Sequence, residues 1–255
     1  LPAISKDLGV GMDALQWAVT AYVLALASLV TFSGTLADRY GRKRILLVGN
    51  AVMIAGAIVC ALSPDVGVLI AGRVLQGAGS AMIAPAGLSL MTAAFPETAR
   101  RAIAVMWWTT IGTFSLAAGP IFGGLLVRDL GWQSVFWAGV PLGLIAMGLA
   151  LALLRESRAD TPSPFDPVGQ ILLTVFLAGL AFTLIEGVHL GWTSPAILVS
   201  IGLTVGSGIA LVPVERRRQD PMDARAGGAL ITAELRDHGA LAFIDLIHAA
   251  HHPAD

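Results

Sequence analysis

Seven long apolar stretches follow one another along most of this chain, and each is about as long as a bilayer is thick. They are Ala14 to Ala37, Ile45 to Pro64, Val66 to Phe95, Ala102 to Val127, Trp132 to Leu154, Pro167 to Ile185 and Leu190 to Val214. A helix needs about 20 apolar residues to cross a hydrocarbon layer of about 30 Å. The stretches lack the period-two alternation of barrel strands. The sequence therefore predicts an all-α, polytopic membrane helix bundle with about seven spans.

Composition excludes several other classes of protein. Apolar residues make up 56% of the chain and charged residues 13%, which is far from the balance of a soluble domain. The formal net charge of -1 leaves no basic excess for a nucleic-acid partner. Cys60 is the one cysteine, so the chain by itself builds no disulfide framework or thiolate metal cluster. We expect Cys60 to be a small core residue.

Lysine and arginine alternate between the two sides of the predicted bundle. One side holds eleven of them: Arg39, Arg42, Lys43, Arg44, Arg100, Arg101, Arg155, Arg158, Arg216, Arg217 and Arg218. The other side holds two, Lys6 and Arg128. Cytoplasmic loops carry the excess of positive charge, so we expect Leu1 outside and the C-terminus in the cytoplasm. Trp17, Trp132 and Trp192 then lie near outer ends, as interfacial indoles do.

A charged connection lies between the first two stretches, from Gly34 to Arg44. Its marked positions are Gly34, Asp38, Arg39, Gly41, Arg42 and Lys43. A small residue allows close helix packing, Asp38 can accept hydrogen bonds at a helix N-terminus, and cations hold a loop at the cytoplasmic face. The spacing Gly-x-x-x-Asp-Arg-x-Gly-Arg-Lys resembles the loop between helices two and three of the major facilitator superfamily.

The third stretch contains an arginine, which costs about 2.5 to 3.5 kcal/mol to place within a bilayer. Gln76, Gly77 and Ser80 follow Arg73 on one helix face, so the sequence predicts a polar stripe toward the bundle interior. Arg73 could simply be a structural residue that binds carbonyls of a neighbouring helix. The run also resembles the fourth-helix motif of the same superfamily, and that resemblance implies that Arg73 takes part in proton coupling.

The fourth stretch is rich in glycine near its end. The marked positions are Gly112, Gly119, Pro120, Gly123 and Gly124. Small residues four apart let two helix backbones approach closely, so tight packing alone would explain them. The pattern Gly-Pro-x-x-Gly-Gly also resembles the fifth-helix antiporter motif of the superfamily, which implies export rather than uptake.

Two further stretches, Gln16 to Tyr22 and Ile185 to Trp192, resemble the fourteen-helix drug:proton antiporter branch. The resemblance implies an N-terminal half with these parts: 1–13, an extracytoplasmic end after a missing first helix; 14–154, bundle helices; 155–166, a cytoplasmic loop; 167–214, two inserted helices; and 215–255, a cytoplasmic tail. We expect the chain to be a fragment. Residues 222–255 are atypical and hold four of the five histidines, His238, His248, His251 and His252.

The resemblance implies a multi-pass cell-membrane transporter that exports drug-like or amphipathic small molecules in exchange for protons. No phosphate-binding glycine loop, catalytic arrangement or complete metal site is evident, so we expect no cofactor, no metal and no enzymatic activity. Two alternatives stay open: an uptake symporter, and a fragment that does not transport. The sequence does not identify the substrate. It also does not show whether the chain works with a partner half or as a homodimer. We expect Glu186 to snorkel to water, with a role in cation recruitment as the alternative. We expect His189 to be a solvated loop residue rather than a proton relay.

Overall fold

The computed structural model describes residues 2–158 and 166–216, and within these ranges it is entirely helical, without a strand. The helices are α1 (Pro2–Leu8), α2 (Met12–Tyr40), α3 (Arg42–Ala61), α4 (Val66–Ala94), α5 (Thr98–Leu130), α6 (Gln133–Leu153), α7 (Pro167–Leu190) and α8 (Pro195–Arg216). Seven of them, α2 to α8, are long and apolar enough to cross a membrane. The prediction of an all-α bundle with seven spans is therefore confirmed.

The chain divides into two compact units at a boundary within α8. Residues up to Gly208 form one compact unit, and a second begins at Ile209. The described part of the second unit is the last two turns of α8, which end at Arg216. Helices α1 to α7 lie entirely within the first unit.

Helix α4 lies at the centre of this unit and packs against α2 and α3. Its glycines make this packing close: a Cβ added at Gly79 would lie 2.6 Å from the carbonyl oxygen of Gly49 in α3. A Cβ at Gly72 would likewise lie 3.0 Å from the backbone nitrogen of Cys60. Cys60 is completely buried, as predicted. Small residues thus let the backbones of α3 and α4 touch. Because the hydrophobic effect does not drive helices together in lipid, such close packing is what holds them to each other.

The end of the bundle that contains the start of α2 has a buried apolar cluster. Its members are Leu15, Ala18, Cys60, Leu69 and Trp132. The indole Nε1 of Trp132 donates to the Asp7 carboxylate at 2.7 Å, and only 3% of Trp132 is exposed. Trp132 lies directly before α6, at the predicted outer end of the bundle, but protein and not solvent surrounds it. Residues of the short helix α1 cover Trp132 and satisfy its N–H group, so the ring packs as a core residue.

The two helices at the C-terminal side pair through hydroxyl groups. Thr183 Oγ1 of α7 donates to Ser200 Oγ of α8 at 2.8 Å, and Ser200 Oγ donates to the Gly179 carbonyl at 2.9 Å. Hydroxyls that bond across helices satisfy each other where no water is present. Helix α7 also packs against α2, and this contact attaches the pair to the rest of the unit.

Candidate functional site

The charged connection between α2 and α3 is a single residue rather than a loop. Helix α2 continues to Tyr40 and α3 begins at Arg42, so only Gly41 separates them. The prediction of a loop from Gly34 to Arg44 was therefore too long. Gly41 has a φ of +115°, a conformation that glycine adopts much more readily than other residues. Gly34 lies inside α2 and faces Pro85 of α4, where an added Cβ would make ordinary contact at 3.8 Å.

Asp38 and Arg42 bridge the junction between the two helices. The guanidinium of Arg42 donates to Asp38 Oδ1 from Nε at 3.1 Å and from Nη2 at 2.9 Å. Asp38 thus pairs with a side chain, whereas the sequence suggested that it would accept from backbone N–H groups. The backbone acceptor at the start of α3 is Glu156 instead, whose Oε1 accepts from the Lys43 backbone nitrogen at 2.9 Å.

The segment after α6 completes this junction. The Lys43 ammonium donates to the carbonyls of Leu151 at 2.9 Å and Leu154 at 2.7 Å, which are among the last carbonyls of α6. The carbonyl of Ser157 accepts from the Arg42 backbone nitrogen at 3.0 Å. A cation near a helix C-terminus and a carboxylate near a helix N-terminus are both stabilised by the helix dipole. Lys43 and Glu156 therefore connect the start of α3 to the end of α6 by hydrogen bonds.

Arg73 lies about two turns into α4 and reaches toward α2. Its Nε donates to the Ala18 carbonyl at 3.0 Å, and its Nη1 donates to Gln76 Oε1 at 2.9 Å. The guanidinium carbon lies 4.4 Å from the centre of the Tyr22 ring, a cation–π distance. Among the residues that the structure describes, Arg73 forms no ion pair. Its positive charge is held by a carbonyl, an amide and an aromatic face.

The remaining residues of the predicted polar stripe surround Arg73. Tyr22 donates its hydroxyl to Ser80 Oγ at 3.1 Å, so Ser80 joins the group through the same ring that Arg73 covers. Gln76 is 7% exposed. A Cβ added at Gly77 would lie 2.8 Å from the Cβ of Ala25, which shows how closely α4 approaches α2 here. The structure thus brings Arg73, Gln76 and Ser80 together around Tyr22, a residue to which the sequence analysis assigned no role.

The glycine-rich motif of α5 lies apart from this group. A Cβ added at any of Gly112, Gly119, Gly123 and Gly124 would meet no described atom within 4 Å. Pro120 lies inside the uninterrupted helix, and none of the residues of α5 is buried. The described part of the chain therefore supplies no helix that uses this small-residue face.

Several predicted residues fall outside the described ranges. These are Arg217, Arg218, the histidines 238, 248, 251 and 252, and the loop residues 159–165. In the described residues no cluster of three or more His, Cys, Asp or Glu side chains has the geometry to hold a metal ion.

The sequence matches the Major Facilitator Superfamily over residues 1–214. It is 40% identical over 223 residues to the multidrug resistance protein Stp of Mycobacterium tuberculosis, a match that covers 87% of this chain and 41% of that relative. It is 36% identical to the methylenomycin A resistance protein of Streptomyces coelicolor (86% and 46% covered) and 35% identical to the tetracenomycin C resistance and export protein of Streptomyces glaucescens (88% and 44%).

The chain therefore spans less than half the length of these curated relatives. The match nevertheless covers most of this chain and reaches from residue 1 to residue 214, inside the last described helix. It includes the Gly41 junction, the group around Arg73 and the glycines of α5. Together with seven helices able to cross a bilayer, this match shows that the chain is a multi-pass membrane protein that belongs to the major facilitator superfamily.

Proposed function

We propose that this chain forms part of a transporter that exports drug-like or amphipathic small molecules across the cell membrane in exchange for protons. The names of the relatives support export, since they are called resistance or export proteins against compounds of several kinds. The excess of lysine and arginine on one side supports an orientation with Leu1 outside and the C-terminus in the cytoplasm.

The observation that carries the proton coupling is the environment of Arg73. Its charge lies within a membrane helix and has neutral partners among the described residues. Such a charge raises the energy of any second positive charge bound nearby, because electrostatic interactions are strong where water is excluded. A proton and a cationic substrate held near Arg73 at the same time would therefore repel both Arg73 and each other, which favours their binding in turn rather than together. Support for Arg73 as the coupling residue also comes from the motif it belongs to.

The two other functions considered above have less support. An uptake symporter fits poorly with relatives named for resistance and export. A chain that does not transport by itself is favoured by one observation: the glycine face of α5 meets no described neighbour within 4 Å. We therefore infer that export needs further helices against α5, from another segment or a second copy.

Reconstitution in proteoliposomes tests this proposal. A pH gradient is imposed, and movement of a fluorescent lipophilic cation is followed for two samples: this chain alone, and a chimera in which residues 1–214 replace the matching region of the Stp relative. We expect gradient-dependent movement by the chimera that a protonophore abolishes. A chimera that folds but moves the dye equally without a gradient would contradict proton exchange. Gradient-dependent movement by the chain alone would show that export needs no helices from another protein.

A further inference from the structure

The Glu186 side chain is buried near the end of α7. Only 3% of the residue is exposed, and its Oε1 has no hydrogen-bond partner among the described residues. The sequence analysis expected this carboxylate to snorkel to water, and that expectation was wrong. An ionised carboxylate kept from water costs several kcal/mol unless a partner compensates its charge. Within the described residues, Glu186 Oε1 is therefore a buried acceptor without a donor.

A cavity of about 250 Å³ adjoins this carboxylate between α2 and α7. Gln16 and Trp17 line it from α2, and Glu186, His189 and Leu190 line it from α7. None of these five residues is a lysine or an arginine, so no fixed cation of the lining neutralises Glu186. The volume exceeds that of several water molecules, each of which occupies about 30 Å³. The cavity therefore has room for a small organic molecule.

The remaining walls are aromatic and polar. The Trp17 ring packs against Phe182 with centroids 5.8 Å apart, which fixes the indole beside the cavity. Gln16 Nε2 and His189 Nε2 are hydrogen-bonded to each other. His189 is exposed, but it lies in the last turn of α7 and not in a loop. A carboxylate beside an indole is the combination that recognises ammonium groups, because both the charge and the ring face attract a cation.

We propose that this cavity binds small organic cations, with Glu186 as the counter-charge and Trp17 as the aromatic wall. The site and the group around Arg73 consist of different residues: Arg73 bonds the Ala18 carbonyl, whereas Glu186 lines the cavity with Gln16 and Trp17. Equilibrium binding to this site needs no proton gradient and no transport, so its test is independent of the proposed export.

The probe is choline, and its neutral control is 3,3-dimethyl-1-butanol, which has the same shape without the charge. Titration calorimetry on the purified full chain in nanodiscs should show that choline binds about tenfold or more tightly than the alcohol, as a charge-assisted contact predicts. Glu186→Gln should remove this preference. Glu97→Gln, which changes an exposed carboxylate paired with Arg100, should keep it. Trp17→Leu should weaken choline binding about two- to fivefold.

A second measurement on the unchanged chain covers the case in which Glu186→Gln does not fold. Dicyclohexylcarbodiimide modifies carboxyl groups in apolar surroundings, and mass spectrometry locates the adduct. Choline should slow the modification of Glu186, and the neutral alcohol should not. Equal affinity for choline and the alcohol, unchanged choline binding by Glu186→Gln, or modification that choline does not slow would each overturn the proposal.

Discussion

Glu156 places its carboxylate where a side chain on Gly41 would have to lie. A Cβ built on Gly41 would be 2.8 Å from the carboxylate carbon and 2.8 and 2.9 Å from its two oxygens. The same carboxylate accepts from the Lys43 backbone nitrogen. The missing side chain at residue 41 therefore lets an acidic residue from the end of α6 reach the first turn of α3.

Gly41→Ala should destabilise this junction for two reasons. The φ of +115° at Gly41 is unfavourable for alanine, which costs about 1–3 kcal/mol. The new methyl group would also push Glu156 away from the Lys43 nitrogen. We expect a lower midpoint of thermal unfolding in detergent and faster tryptic cleavage at Arg42 to Arg44.

Gly191→Ala is the matched control. Gly191 also has a positive φ, +82°, but an added Cβ would meet no described atom within 4 Å. Its effect on the thermal midpoint therefore measures the cost of a positive φ at alanine, without displacement of a neighbouring side chain. If Gly191→Ala and Gly41→Ala lower the midpoint equally, and cleavage at the junction does not change, Glu156 is not held by the space at Gly41.

Glu156→Gln and Glu156→Ala separate charge from hydrogen bonding at the same place. Glutamine keeps an oxygen that can accept from the Lys43 backbone nitrogen, whereas alanine removes it. Arg44 lies 3.8 Å from Glu156 Oε2, and its side chain is 68% exposed, so this ion pair adds little. We expect tryptic cleavage at the junction to rise more in the alanine variant. Equal cleavage in both variants would show that charge, not the backbone contact, holds the junction.

The sequence predicts the helices of this bundle much better than the contacts between them. Hydropathy located all seven spans because each span is a local property of about 20 residues. Glu156 was not recognised, since nothing local links it to Lys43, which lies 113 positions earlier. Its one visible signal was an acidic residue just after the Leu154 end of an apolar stretch.

Trp132 and Glu186 show that burial at a helix end depends on the neighbouring helices. Both lie near the ends of apolar stretches, where the general tendency is to face the interface. Trp132 is covered by the short helix α1, in which Asp7 accepts a hydrogen bond from the indole N–H group. Glu186 is covered where α7 packs against α2. Each outcome depends on which helix lies alongside, and periodicity within one helix does not carry that information.

Gly79→Ala should strongly weaken the packing of α3 against α4. Its Cβ would lie 2.6 Å from the Gly49 carbonyl oxygen and 2.9 Å from the Met53 Cβ, so the two backbones must separate. Overpacking of this kind costs about 1–3 kcal/mol. Gly119→Ala in α5 is the control, because its Cβ meets no described atom within 4 Å. The same thermal midpoint measures both. Equal effects of the two variants would contradict the close approach at Gly79.

Arg73→Met should abolish exchange in the chimera with the Stp relative. The substitution removes the charge that the Ala18 carbonyl, Gln76 and Tyr22 hold. We expect the rate of gradient-driven dye movement to fall by more than about tenfold, equivalent to about 1.4 kcal/mol. Arg73→Lys keeps the charge and should retain part of the rate. Arg128→Met, which alters an arginine that is 73% exposed, should have no effect. Undiminished exchange by Arg73→Met would remove the coupling assignment.

Cysteine labelling tests the proposed orientation, because Cys60 is the chain's one cysteine and is completely buried. A membrane-impermeant maleimide should not label the unchanged chain in intact cells. Asp129→Cys, at the end of α5, should be labelled in intact cells, since this end lies on the side with few cations. Glu97→Cys, at the start of the same helix, should be labelled only after the membrane is permeabilised. Both side chains are more than half exposed, so access to the reagent depends on the side of the membrane and not on burial. The reverse pattern would place Leu1 in the cytoplasm and would contradict the orientation that export requires.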